Sequence, residues 1–382
     1  MPFIVYFHFQ RDREESPKAV VREDGNTDYY NLNLIENVVA GQILASVHEV
    51  EEETEDPFLE NIEGPEFLPR YIGENVELDE EIPIQIVAKA NGQVIYENGI
   101  ISVSTVYETK GDVDFSTGNL TFVGHLSVKG SVRNDFSVLA NDVTVYGNVD
   151  DSHIRSGNRV LVQGDILGAK SSIIAGSSVS AKFIENASVS AKGNIFIGLS
   201  FLSGNIKSGG SVIIRDPGIL HGGKIYCKNS LYAKKIGTNW SNPTEIRLGD
   251  DPFLLDRLEE VRKMVQTLQH REAELEKGVI PGNTKDSSNT ELLRAERERT
   301  KVSLLRFKLF EKQLQKRLED QRKENRNIGL YAIDQVKPGT KINIFDAKLF
   351  VKETMEQVYF YYDNGEIKIG ECRQSMESLL RS

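Results

Sequence analysis

The side chains able to do chemistry are few in this 382-residue chain, and they are scattered. Three of its six histidines, His125, His153 and His221, fall in a glycine-rich β region. A zinc enzyme or an acyl transferase built on stacked β-coils needs such histidines to converge from neighbouring turns, because zinc holds its ligands at bonding distance in tetrahedral array. His125 and His153 each stand one residue before an apolar strand position, whereas His221 stands two after Ile219, so the three do not share a column. Asp112 and Asp114 lie two apart, as on one face of a strand, and two carboxylates can cleave a glycan. Glycan-cleaving coils carry larger acidic clusters, and hydrogen bonding at a coil corner is the simpler role. The stretch from Gly218 to Ile225 approaches a phosphate-binding loop, but Ile225 occupies the position where a hydroxyl must reach magnesium, and no helix follows. Cys227 and Cys372 are the only cysteines and stand far apart, which excludes a disulfide framework and a multi-cysteine zinc site. No catalytic, cofactor-binding or metal-ligating residue is therefore assigned, no cofactor is expected, and the chain reads as a non-enzyme.

The elements that carry these residues repeat. Apolar positions Leu120, Val138, Ile154, Ile173, Val189, Ile206 and Ile225 recur every 16 to 19 residues. A second column, Leu126, Val143, Val160, Val179, Ile195, Val212 and Leu231, follows at steps of five or six, and a third, Val132, Val149, Ile166, Phe183, Phe201, Ile219 and Ile236, at steps of four to seven. Three short strands per unit make a coil with three faces, and repeated Gly-Asn pairs supply corners that tolerate positive φ. About seven coils stacked at roughly 4.8 Å would give a parallel β-solenoid on the order of 30 Å long. Insertions near Gly168 and Pro217 break the strict six-residue period of the acyltransferase class.

The flanks differ. Residues 1–104 read as a separate α+β or all-β module with an acidic, proline-bearing middle from Glu49 to Glu63. Asn91-Gly92 is expected to turn a hairpin between Ile84–Ala88 and Gln93–Tyr96, and Ile100–Val103 to lead into the first coil. After the solenoid, 105–249, Asp251-Pro252 signals a helix start, and Leu254, Leu258, Val261, Val265, Leu268 and Leu275 follow a heptad step to Gly278. A second stripe, with Leu293, Leu304, Phe307, Phe310, Leu314 and Leu318, predicts an antiparallel coiled-coil hairpin over 250–327. The segment 328–382 returns to strands, with turns at Pro338-Gly339 and Asn364-Gly365, and is expected to cap or complete the solenoid.

Composition agrees with a folded, soluble chain: 39% of residues are hydrophobic and 27% charged. The net charge of −11 disfavours nucleic acid as a partner. An apolar start without a basic lead, soon meeting Arg11 and Arg13, does not read as a signal peptide, and no apolar run is long enough to span a bilayer; a cytoplasmic location is expected.

Gly111-Asp112-Val113-Asp114-Phe115-Ser116-Thr117-Gly118-Asn119-Leu120 resembles the signature of the flagellar assembly protein A family, as do Ala181–Ala187, Ser208–Ile213, Gly222–Ile225, Ile236–Thr238 and Pro243–Ile246. The resemblance implies a bacterial cytoplasmic protein with an amino-terminal domain, a right-handed β-solenoid similar to that of polymer-forming bactofilins, and a link to flagellar assembly or its regulation. It brings no catalytic residues. The function expected is a scaffold or regulatory interaction protein whose protein partners bind the hairpin and the acidic amino-terminal module, without membrane insertion. Self-polymerisation into a homo-oligomer and a sugar- or acyl-processing activity are the alternatives.

Overall fold

The computed structural model describes residues 2–10, 20–21, 27–52, 56, 59–238, 243–278, 287–325 and 328–372. They form two compact units, Met1–Asn205 and Ile206–Ser382.

The first unit begins with an antiparallel sheet in the order Leu59–Ile62, Phe3–Phe7, Ile43–Glu49, Gln85–Ala88, Val76–Leu78. Val5, Val47, Leu44 and Ile86 enter a core that also takes Leu68 and Tyr71 from a 3-10 turn, Pro65–Tyr71; four successive residues of Ile43–Glu49 are buried, where the register with Gln85–Ala88 shifts. Of the two possibilities for this module the structure shows the all-β one; no α-helix occurs among its described residues. The expected hairpin at Asn91-Gly92 does not form. Gln85–Ala88 pairs with Ile43–Glu49 and Val76–Leu78, while Gly92–Glu97 pairs with Ile100–Ser104 and Asn37–Val38. The physical reason is that Asn98 and Gly99, at φ 53° and 78°, make the two-residue turn instead, and Asn91 spends its side-chain carbonyl on the Ala40 N–H at 2.8 Å. Ile100–Ser104 is thus the return strand of that hairpin.

Parallel coils follow in the same unit. One face stacks Val106–Thr109, His125–Val128, Asp142–Val145, Val160–Val162, Val179–Glu185 and Ile195–Leu202; a second stacks Leu120–Thr121, Ser137–Ala140, His153–Ser156, Ser172–Ala175 and Ser188–Ala191. Register joins Leu120, Val138, Ile154, Ile173 and Val189 in one inward column and Leu126, Val143, Val160, Val179 and Ile195 in another, as their spacing predicts. All ten are at most 2% exposed, so each contributes on the order of 1.5–3 kcal/mol of burial. The third column differs by one residue. Ile184, not Phe183, pairs with Ile166 and Phe201, because a bulge between Ala181 and Phe183 shifts the register.

The second unit repeats the plan. Val212–Ile214, Leu231–Ile236 and Gly329–Val336 stack in parallel, as do Gly223–Cys227, Thr244–Leu248 and Lys341–Ile344. Leu220, rather than Ile219, carries the third column against Ile236. Residues 329–344 therefore complete a coil, and antiparallel strands then cover it: Met355–Asp363 with Glu366–Glu371 on one face, Ala347–Phe350 on the other. The turns number about eight. The additional ones escape the seven-fold count because the first opens on Tyr107 and the last lies beyond the helices.

Between those coils stand α1, Pro252–Gly278, and α2, Ser287–Glu324. The Asp251 carboxylate caps α1, accepting from the N–H groups of Phe253 and Leu254 at 2.9 and 3.4 Å. Leu258, Val261 and Val265 bury against Leu304, Leu314 and Leu318, with Leu254, Leu268, Phe307 and Phe310 beside them, which is the predicted seam. The loop expected from Gly282 to Asn289 lies outside the described residues as far as residue 286, and α2 starts at Ser287.

Candidate functional site

The residues singled out for chemistry are held apart. In the first unit His125 and His153 lie on different faces of the coil; His125 Nε2 meets Thr144 Oγ1 at 3.2 Å, and His153 stands exposed. In the second unit His221 is half-buried, and desolvation lowers its pKa. Among the described residues no three His, Cys, Asp or Glu side chains are grouped to hold a metal ion. Gly223–Cys227 is a strand with Lys224 turned outward, so the glycine run is no phosphate loop. Cys227 is buried in the coil core, where desolvation pushes its thiol far above the usual range and makes it a poor nucleophile.

Asp112 and Asp114 sit in a corner rather than along a strand, because the segment after Thr109 turns. Asp112 Oδ1 accepts the Ser131 N–H at 2.7 Å, and its other oxygen pairs with Arg133 at 2.6 Å. The Ser131 N–H and then the Arg133 guanidinium hold its carboxyl below the ordinary aspartate value. Asp114 Oδ1 accepts from the Ser116 N–H and hydroxyl at 2.7 and 2.6 Å, and its carbonyl accepts the Gly118 N–H at 2.7 Å. At Gly118, φ is +64° and an added Cβ would stand 2.6 Å from the Tyr30 carbonyl oxygen, so glycine alone fits without strain. Asn119 completes the corner: its N–H donates to that same carbonyl at 2.5 Å and its side-chain oxygen accepts the Ser137 N–H at 2.8 Å. The distinctive Gly111–Leu120 string thus fastens the loop at Tyr30 to the first two coils, with Tyr30, Phe115 and Phe136 in ring contact above it.

Beside this corner lies an open groove of about 700 Å³. One wall is Gln93–Glu97, the other Tyr107–Asp112, and Glu36, Ser116 and Thr117 close it. Its chemistry is that of recognition: carboxylates, hydroxyls, amides and two phenol rings, Tyr96 and Tyr107. Glu108 is ion-paired with Lys129 at 2.7 Å, and that pairing lowers its pKa.

Two further clusters were invisible to spacing. His48 Nε2, two residues along the same strand, and His8 Nε2, far away in sequence, both meet the hydroxyl of buried Ser46, at 3.0 and 2.9 Å. The Tyr71 and Tyr96 hydroxyls both donate to Glu60, at 2.6 Å each, while Arg70 donates to the Tyr71 hydroxyl.

In the second unit Arg322 forks onto both oxygens of Asp250 at 2.7 Å, Lys207 pairs with Asp256, and the Asn325 amide donates to the Lys228 carbonyl at 2.9 Å. These contacts root the helical hairpin. Farther along, its helices bind each other through Arg262–Glu311, Arg271–Glu296 and Arg297–Glu276. No helix among the described residues is long and apolar enough to cross a membrane.

Two family models match the chain: the Flagellar Assembly Protein A N-terminal region over residues 3–99, and the Flagellar Assembly Protein A beta solenoid domain over residues 105–367. No curated protein and no solved structure matches it.

Proposed function

Because the chain belongs to the flagellar assembly protein A family, we propose that it serves flagellar assembly as a non-enzymatic cytoplasmic scaffold, with the coils as rigid support and with protein partners bound by the hairpin and the acidic amino-terminal module. The observation that carries this reading is the hairpin. Its two helices seal their apolar seam against each other and are rooted at one end, so they need no further protein surface to fold. What they present outward is charge, together with an apolar ridge on α2, where Val302, Leu305 and Leu309 are 48%, 62% and 62% exposed. Such an arm is built for docking rather than chemistry. The division into a module at 1–104, coils at 105–249, hairpin at 250–327 and a closing segment at 328–382 belongs to the same proposal.

Self-polymerisation is less favoured. The antiparallel strands after Lys341–Ile344 cover the final coil of the second unit, and the outermost strand, Glu366–Glu371, carries Glu366, Lys368 and Glu371, charges that deter edge pairing.

The test is complementation. In a flagellated host lacking its own copy, the full chain restores flagella, and so does a variant altered at His125, His153 and His221. A chain with Asp251–Asn325 replaced by a short Gly-Ser linker does not. Loss of flagellation in the histidine variant, at normal protein level, would overturn the non-enzymatic reading.

A further inference from the structure

We propose that the groove beside the first coil is a docking cleft for an extended, lysine- or arginine-bearing peptide segment that adds as a strand to the open edge of Val106–Thr109. This deepens the partner-binding role given above to the amino-terminal half, and rests on it.

The backbone pattern supplies the first argument. Thr105 C=O accepts the His125 N–H at 2.9 Å and Gly111 C=O accepts the Gly130 N–H at 3.1 Å, so odd-numbered residues of this segment bond to the following coil. In a parallel ladder the alternate residues aim their N–H and C=O groups the other way. Those residues are Val106, Glu108 and Lys110. Val106 is capped by its own neighbour: Ser104 Oγ donates to its C=O at 2.7 Å and accepts its N–H at 3.4 Å. Among the described residues Glu108 and Lys110 have no such cap, and both line the groove. The edge available for pairing is therefore short and opens into the cleft.

The opposite wall adds the second. Gly92–Glu97 is itself extended, paired along its length with Ile100–Ser104 and, at Gly92 and Gln93 only, with Asn37–Val38. A space walled by two extended backbones suits a third. Pairing at an exposed edge supplies affinity through main-chain bonds, while side chains set specificity.

Charge selects the occupant. Glu36, Glu97, Glu108 and Asp112 line the cleft with Lys110, the one cation among its described lining residues, while Lys129 and Arg133 pair with Glu108 and Asp112. A cationic segment complements this lining. An acidic peptide or a nucleic acid meets repulsion.

The experiment titrates the full chain into three fluorescein-labelled peptides: alternating Lys-Thr, alternating Glu-Thr, and the Lys-Thr peptide N-methylated at alternate residues. Anisotropy is expected to show saturable binding of the first alone, weakened at least tenfold by Glu97→Lys and by high salt, with hydrogen-exchange protection gained over residues 107–111. Equal binding of the N-methylated peptide would overturn strand addition, and equal binding of the Glu-Thr peptide, or none of the Lys-Thr peptide, would overturn the assignment of the occupant. None of these readouts depends on flagellation, so the cleft can fail while the scaffold stands.

Discussion

The coils and the helical hairpin solve the same problem in opposite ways. In the coils, inward Val, Ile and Leu side chains stack in columns, each held by backbone pairing to the turn before and the turn after. Stability is shared along the stack, and a defect in one turn is felt by its neighbours. In the hairpin, six buried aliphatic residues hold two long helices; α2, at 38 residues, reaches roughly 55 Å. Its outer faces are solvated charge apart from the ridge of Val302, Leu305 and Leu309, and its seam involves no coil residue. A collective stack of coils and a separable arm can therefore change independently.

The largest effect expected comes from a charge in a coil column. Ile173→Asp, at a position with no solvent exposure, should cost more than about 4 kcal/mol and remove the cooperative β transition in thermal circular dichroism. Loss of helix alone would break the comparison. Leu314→Ala, in the hairpin seam, should cost about 2–4 kcal/mol, melting helix signal at lower temperature while the β transition stays in place. Gly118→Ala, forced into a left-handed backbone against the Tyr30 carbonyl, should cost roughly 1–3 kcal/mol in the first unit and leave the hairpin untouched.

Asp112 gives a pH signature. Its folded pKa is lowered, chiefly by the Ser131 N–H, so its contribution is present above the unfolded value near about 3.9 and is lost as pH falls through the lower folded value. The stability gap between wild type and Asp112→Asn should be widest near neutrality and close below pH about 4 in urea titrations. The smallest effect is at Glu259, whose pair with Lys263 on α1 is fully in solvent. Glu259→Gln should leave both transitions where they are.

Much of the frame is legible in the sequence because it is periodic. A column such as Leu120, Val138, Ile154, Ile173 and Val189 declares itself through spacing, and the Asp251-Pro252 start of α1 through capping chemistry. What escapes is what pairing decides. Phe183 and Ile184 are both apolar, and only a bulge one residue earlier determines which turns inward. Asn91-Gly92 and Asn98-Gly99 are equivalent as dipeptides, yet only the second joins strands that pair with each other. The groove is invisible for a related reason, since its walls, Gln93–Glu97 and Tyr107–Asp112, belong to different sheets. The Ser46 hydroxyl meets His8 only because Phe3–Phe7 and Ile43–Glu49 lie side by side.

The central claim, that a self-sufficient frame carries a separable arm, is tested most directly by hydrogen exchange on the chain with Asp251–Asn325 replaced by a short Gly-Ser linker. The account predicts that amides in Leu231–Ile236, Thr244–Leu248 and Gly329–Val336 keep the protection they have in the intact chain, since their parallel pairing involves no helix residue. Collapse of that protection to the level of an unfolded peptide would show that the arm is part of the frame, and would contradict the account.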